Sequence, residues 1–141
     1  MDHVAIMSGD WELTEKILSG EKTIESRWYK NKYAPWDRIK AGDTVYFKEG
    51  KFVSVKASVK KVLQFSDLNQ DKVKELLEKY HKEDGIKKEE IESYYNLFKD
   101  KKYCMLIFLE NPENVRFEID KKGFGSMAAW VCIEDVNKIK I

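Results

Sequence analysis

The sequence predicts an α+β fold, a small β-barrel with an N-terminal helix and a two-helix insertion. Three observations point there. Short runs of alternating apolar and polar residues recur at regular spacing with turn signals between them, as in strand-built barrels. A single amphipathic stripe precedes the first of these runs. Two further stripes interrupt the series between Asn69 and Lys99, placed to cover one opening of the barrel.

The first stripe, Leu13, Ile17 and Leu18, predicts a helix over Trp11 to Leu18. Ser8 or Asp10 is available to cap it, and Gly20 stands just past its end. The next stretch, GEKTIESR from Gly20 to Arg27, reads as the start of a strand, with Ile24, Ser26 and Trp28 on one face and Glu25 and Arg27 on the other. Lys30 to Gly42 is expected to be a loop around Pro35 and Trp36, closed by the turn Ala41-Gly42-Asp43. Val45 and Phe47 then alternate, Glu49-Gly50 signals a hairpin, and Val53, Val55, Ala57 and Val59 alternate with serine and lysine, as a sheet with one wet face requires. Val73, Leu76, Leu77 and Tyr80 mark one inserted helix, capped by Asn69 or Asp67. Ile91, Tyr94, Tyr95 and Phe98 mark the other, with Gly85 between them. Tyr103 to Leu109 reads as a central strand buried on both faces, turned by residues 111–114. Val115, Phe117 and Ile119 alternate, and a glycine-punctuated loop over 121–126 leads into a last strand over 127–133.

With 141 residues, 43% hydrophobic and 36% charged, the chain is expected to be one globular domain over 1–141. Its 26 basic residues nearly balance 25 acidic ones, so no whole-molecule field attracts nucleic acid, and any such binding needs a local site. Specificity for DNA is not expected. Cys104 and Cys132 sit in apolar runs, as reduced buried thiols do. With no secretory-type leader read from the sequence, a cytoplasmic location is expected. No apolar run is long enough to span a bilayer, so no membrane partner is expected. His3 and His81 share no ligand spacing with the cysteines, and neither a metal nor any cofactor is expected.

The chemistry concentrates at residues 20–29. Lys22, Glu25 and Arg27 put three long ionisable side chains within six positions, and Arg27 is one of only three arginines. A carboxylate beside a guanidinium can be held in fixed geometry, with Lys22 as a further donor. The plainest alternative is a surface ion pair of ~0–1 kcal/mol.

The segment ILSGEKTIESR, followed by a Pro-containing loop and then IKAGDTVYF, resembles the ASCH domain of the PUA-like superfamily. The motif G-x-K-x-x-E-x-R is matched by Gly20, Lys22, Glu25 and Arg27, the G-D before a β-run by Gly42 and Asp43, and a late tryptophan by Trp130. The resemblance spans Ser8 to Trp130. It implies a PUA-like barrel with a cleft lined by the motif, and binding of RNA or a modified nucleotide in translation or RNA processing. Some small members look like amidohydrolases of N4-acylated cytidine nucleosides, in which the motif lysine and a threonine act. Glu25 stands where those have the threonine.

For a nucleobase ligand, Lys22 and Arg27 are expected to hold phosphate or a carbonyl edge, and Glu25 to orient Arg27 or accept from a base amine. Ser8 and Ser126 are candidate donors. Trp11, Tyr29, Trp36, Phe124 and Trp130 are candidate aromatic surfaces, whereas Trp28, sharing a face with Ile24, reads foremost as core. For an amidohydrolase, Lys22 would be a base with its pKa lowered by burial and Arg27, Thr23 or a water the nucleophile, and Glu25 the proton shuttle. A protein-interaction module is the third reading, and it leaves the motif without a use.

Overall fold

The structure, a computed structural model, describes residues 1–8, 12–125 and 127–141. Six strands form one mixed sheet. They are β1 (Asp2–Met7), β2 (Ile24–Tyr29), β3 (Thr44–Glu49), β4 (Phe52–Phe65), β5 (Tyr103–Phe117) and β6 (Trp130–Ile133), ordered β2-β5-β4-β3-β1-β6. The sheet curls into a half-barrel whose edges are β2 and β6. Helix α1 (Leu13–Ser19) follows β1, while α2 (Gln70–Tyr80) and α3 (Ile91–Phe98) interrupt the series between β4 and β5. The α+β class and the small barrel are those read from the sequence, but the sheet stays open between β2 and β6.

Strand β1 was not foreseen. Its run Val4–Met7 is short and apolar on both faces, with Val4 and Ala5 fully buried, so it lacks the alternation that betrays a half-exposed strand. It pairs in parallel with β3, some forty residues on (Asp2 opposite Thr44), and antiparallel with β6. The turn expected at residues 111–114 is also absent, since β5 runs straight through it. Asn111 takes φ 53° and the β4–β5 register slips between Lys56 and Ser58, so a bulge absorbs Pro112, which could not donate to a ladder. The last strand begins at Trp130 rather than 127.

Core residues lie on both sides of the sheet. Inside the barrel are Ala5, Val45, Phe47, Val55, Ile107 and Trp130. The outer face of β2 and β5 packs Ile24, Trp28, Cys104 and Leu106 against the insertion. Helix α2 starts where Asn69 accepts a hydrogen bond from Lys72 N (2.8 Å) and buries Val73, Leu76 and Leu77, each contributing ~1.5–3 kcal/mol. Helix α1 ends at Gly20 in the left-handed region (φ 84°), its N–H bonded to Ile17 O. The caps proposed for its start do not appear among the described residues, where Glu12 precedes the helix without a side-chain bond and Asp10 lies outside them. No helix among the described residues is long and apolar enough to cross a membrane.

Asp43 of the Gly-Asp pair is a structural tie. Its carboxylate accepts from His3 Nε2 (2.8 Å), Lys40 N (3.0 Å) and the Met1 amino group (3.3 Å). Trp130 Nε1 donates to the other ring nitrogen, His3 Nδ1, at 3.0 Å, so the ring sits fully buried as its neutral Nε2–H tautomer. Burial lowers the His3 pKa below the ordinary 6.5, against the pull of Asp43. A lowered histidine pKa means that the unfolded chain binds the extra proton more readily. Stability from this ring is therefore complete above pH 6.5 and is lost as pH falls from there towards the folded-state pKa. The urea midpoint is expected to drop as the solution is acidified below pH 6.5, and His3→Gln to flatten that limb. Equal slopes for the two proteins would contradict it.

Candidate functional site

The motif sits on the open edge of the sheet, and local geometry puts it there. Lys22 precedes β2, its N–H bonded to Lys16 O (2.9 Å) at the end of α1. Thr23 N and Ile24 N both donate to Glu83 O (2.8 and 3.0 Å), so the insertion caps the start of the strand. Leu109 N donates to Thr23 O, which sets the antiparallel phase. Glu25 and Arg27 bond towards β5, while Ser26 and Trp28 turn their backbone N–H and C=O to the unpaired edge.

Lys22 crosses that edge. Its Nζ donates to Ile24 O (2.7 Å), Asp84 O (2.8 Å) and Asp84 Oδ1 (2.6 Å), and lies 3.3 Å from Glu25 Oε1. Its three protons are thereby committed within the protein. Glu25 in turn accepts from Arg27 Nε (3.1 Å) and Nη2 (2.9 Å). The far side of the guanidinium reaches across the barrel's gap to Ile6 O (3.3 Å) and Ala129 O (3.4 Å), and lies 5.0 Å over the Trp130 ring. Arg27 therefore joins the β2 edge to the β1–β6 side where no backbone ladder does.

The result is a cluster of two cations and two anions, Lys22, Arg27, Glu25 and Asp84, with side-chain exposures of 3, 13, 6 and 6%. This is not the surface ion pair of the plainest alternative. Burial acts to lower the Lys22 pKa, but Asp84 and then Glu25 outweigh it, and the ammonium is held above its usual value. The lowered lysine pKa expected of a catalytic base is thus corrected: two carboxylates face it, against the single arginine considered from sequence. Burial pushes the Asp84 carboxyl up, yet it receives Lys22 on one oxygen and the Ser26 hydroxyl on the other (2.6 Å), the contacts of an ionised carboxylate.

Asp84 is the residue that sequence reading missed. It comes from the insertion, 62 residues beyond Lys22, inside the lysine- and glutamate-rich run HKEDGI. The one local signal was Gly85. It has φ 76°, and a Cβ there would meet Lys22 Cβ at 3.3 Å, so glycine lets the turn close over the lysine.

A hollow of about 300 Å³ straddles this edge, at the lower limit for small-molecule sites. Lys22, Glu25, Arg27 and Asp84 form its polar floor. Its aromatic wall is Trp28, stacked on Phe98 at 4.8 Å and 6°, with Tyr94 tilted against Phe98 at 5.9 Å. Trp28 is both core and wall, packed in the outer cluster yet lining the hollow; its Nε1 donates to Ser26 Oγ (3.0 Å). Burial raises the Tyr94 phenol to about 12, so it stays protonated.

Of the residues proposed from sequence, Ser8, Lys22, Glu25, Arg27 and Tyr29 line this hollow. Trp130 lies beyond Arg27 and lines a neighbouring hollow that also includes Tyr29. Trp36 packs edge-to-face on Tyr103 (5.1 Å) and Phe124 is exposed on its loop; neither lines either hollow. Thr23 is exposed and lines neither hollow. Trp11 and Ser126 lie outside the described residues. No group of three or more metal-ligating side chains occurs among the described residues.

No protein-family model matches this chain, and no curated protein sequence does. Solved structures do match. The ASCH protein from Zymomonas mobilis superposes with a TM-score of 0.66 at 16% identity, over 94% of this chain and 87% of that one. A point mutant of the same protein gives 0.69 at 15% identity, over 97% and 93%. A hypothetical protein, PH0355, gives 0.51 at 26% identity, over 82% of this chain and 100% of its own. At such identities the likeness speaks for the fold alone. The fold of this chain is that of the ASCH protein from Zymomonas mobilis, a small α+β half-barrel.

Proposed function

We propose that this chain binds a nucleobase, carried by RNA or by a modified nucleotide, in the hollow along the open edge of β2. The observation that carries the reading is a buried, charge-balanced floor beside an aromatic wall of Trp28, Phe98 and Tyr94. A planar heterocycle suits such a site. Stacking contributes ~1–3 kcal/mol per base, and the ring's polar edge meets the Glu25 carboxylate and the unpaired N–H and C=O groups of the strand. Phosphate suits it less, because the Lys22 protons are already committed and the floor carries no net charge. The setting we assign is RNA processing or translation in the cytosol, in keeping with two free cysteines. Hydrolysis is not favoured: the Thr23 hydroxyl stands outside the hollow and Lys22 is held protonated.

The test is a titration with cytidine, uridine, adenosine, guanosine and N4-acetylcytidine, followed by tryptophan fluorescence through Trp28. At least one nucleoside is expected to saturate the signal with an affinity almost independent of salt. Silence from all five would defeat the proposal. Conversion of N4-acetylcytidine to cytidine, abolished by Lys22→Ala, would replace it with the hydrolase reading.

A further inference from the structure

A second hollow, of about 360 Å³, adjoins the first, lined by Tyr29, Tyr33, Ala34, Met127 and Trp130 together with the backbone around Ala128. Tyr29 lines both hollows, and Arg27 marks the divide. Its guanidinium holds Ile6 O on one side and Ala129 O on the other while covering Trp130. A chain leaving the first hollow over Arg27 enters the second. We infer that the second hollow receives the adjoining nucleotide of a single-stranded RNA whose neighbouring base occupies the hollow at β2. The inference rests on the nucleobase reading above and narrows its ligand class from RNA or a modified nucleotide to single-stranded RNA.

Two features of the second hollow carry the argument. The first is apolar surface left uncovered: Tyr33 is 58% exposed and Met127 93% exposed, on loops from opposite ends of the chain. Tyr33 meets Tyr29 edge-on, at 5.8 Å and 81°, which holds its ring as a fixed platform. Its exposed face suits a stacked base, and a flexible thioether opposite can adapt to any of the four.

The second feature is charge. A ribonucleotide chain brings a phosphate with every base, and the balanced floor of the first hollow has no cation to spare for it. Lys121 Nζ donates to Ala128 O (3.3 Å), which stands the ammonium at the rim of the second hollow. No carboxylate among the described residues pairs with it, so its remaining protons are available to a phosphate oxygen. A neutral pocket for one base, an exposed aromatic for the next and a lysine beside the join are the groups a single strand calls for. A lone nucleoside would leave the second hollow unused.

The experiment compares the four nucleoside 5′-monophosphates with a random-sequence RNA hexamer, on the wild type, Tyr33→Ala and Lys121→Gln. The hexamer is expected to bind the wild type about 10-fold or more tightly than the best monophosphate. Tyr33→Ala is expected to erase about 10-fold of hexamer affinity, from the ~1–3 kcal/mol of one stacked base, and to leave the monophosphate unchanged. Lys121→Gln should reduce the log–log salt slope of the hexamer by about 0.7, the value for one single-strand phosphate contact. A hexamer no tighter than a monophosphate, or one indifferent to Tyr33→Ala, overturns the second subsite while the nucleobase site stands. If neither monophosphates nor hexamer bind, both proposals fall.

Discussion

Lys22→Met is expected to lower folding stability by ~3–5 kcal/mol, the largest loss of any single substitution in the cluster. Methionine fills nearly the same volume, so packing is kept and the loss isolates the charge. Without the ammonium, Asp84 and Glu25 remain buried with their main counter-charge gone, and Ile24 O and Asp84 O lose a donor. An unpaired buried carboxylate costs far more than the pair contributes over an apolar replacement, so removing one partner is the sensitive experiment. The double change Lys22→Met with Asp84→Leu should recover much of the loss, because it removes both charges together. Urea unfolding measures each value. A Lys22→Met loss below about 1 kcal/mol would mean that water reaches the cluster and that the buried floor does not exist.

Arg27→Lys is expected to cost ~2–3 kcal/mol although charge is conserved, since a partly buried ion pair loses its geometry. The guanidinium contacts Glu25 twice, reaches two carbonyls across the barrel gap and sits 5.0 Å over the Trp130 ring. An ammonium is a compact point charge that can serve one of those directions at a time. The half-barrel is expected to loosen at that gap, so amide exchange should quicken in β2 and β6 before it does in β3 and β4. A stability change within about 0.5 kcal/mol, the range of ordinary surface substitutions, would show that the gap is held by something other than Arg27.

Much of the frame was readable because it is local. The alternation of Val53, Val55, Ala57 and Val59, the stripe of α2 with its Asn69 cap, and the apolar run from Tyr103 depend on neighbours within a few residues. The misses share one cause. Strand β1 is recognisable only beside β3 and β6, and the β5 bulge only against the register of β4. In each case the deciding partner lies tens of residues away, where periodicity carries no information.

The same division runs through the site. By itself the sequence determined that Lys22, Glu25 and Arg27 would be neighbours, because spacings of three and two residues around the start of a strand bring their side chains within reach of one another. Only the tertiary structure decided what that closeness means. The insertion returns Asp84 to Lys22, caps Ile24 with Glu83 and stacks Phe98 on Trp28, which turns an ordinary set of surface charges into a buried, self-neutralised floor. Whether a charge is solvated or enclosed depends on what packs over it, and chain segments distant in sequence supply that cover.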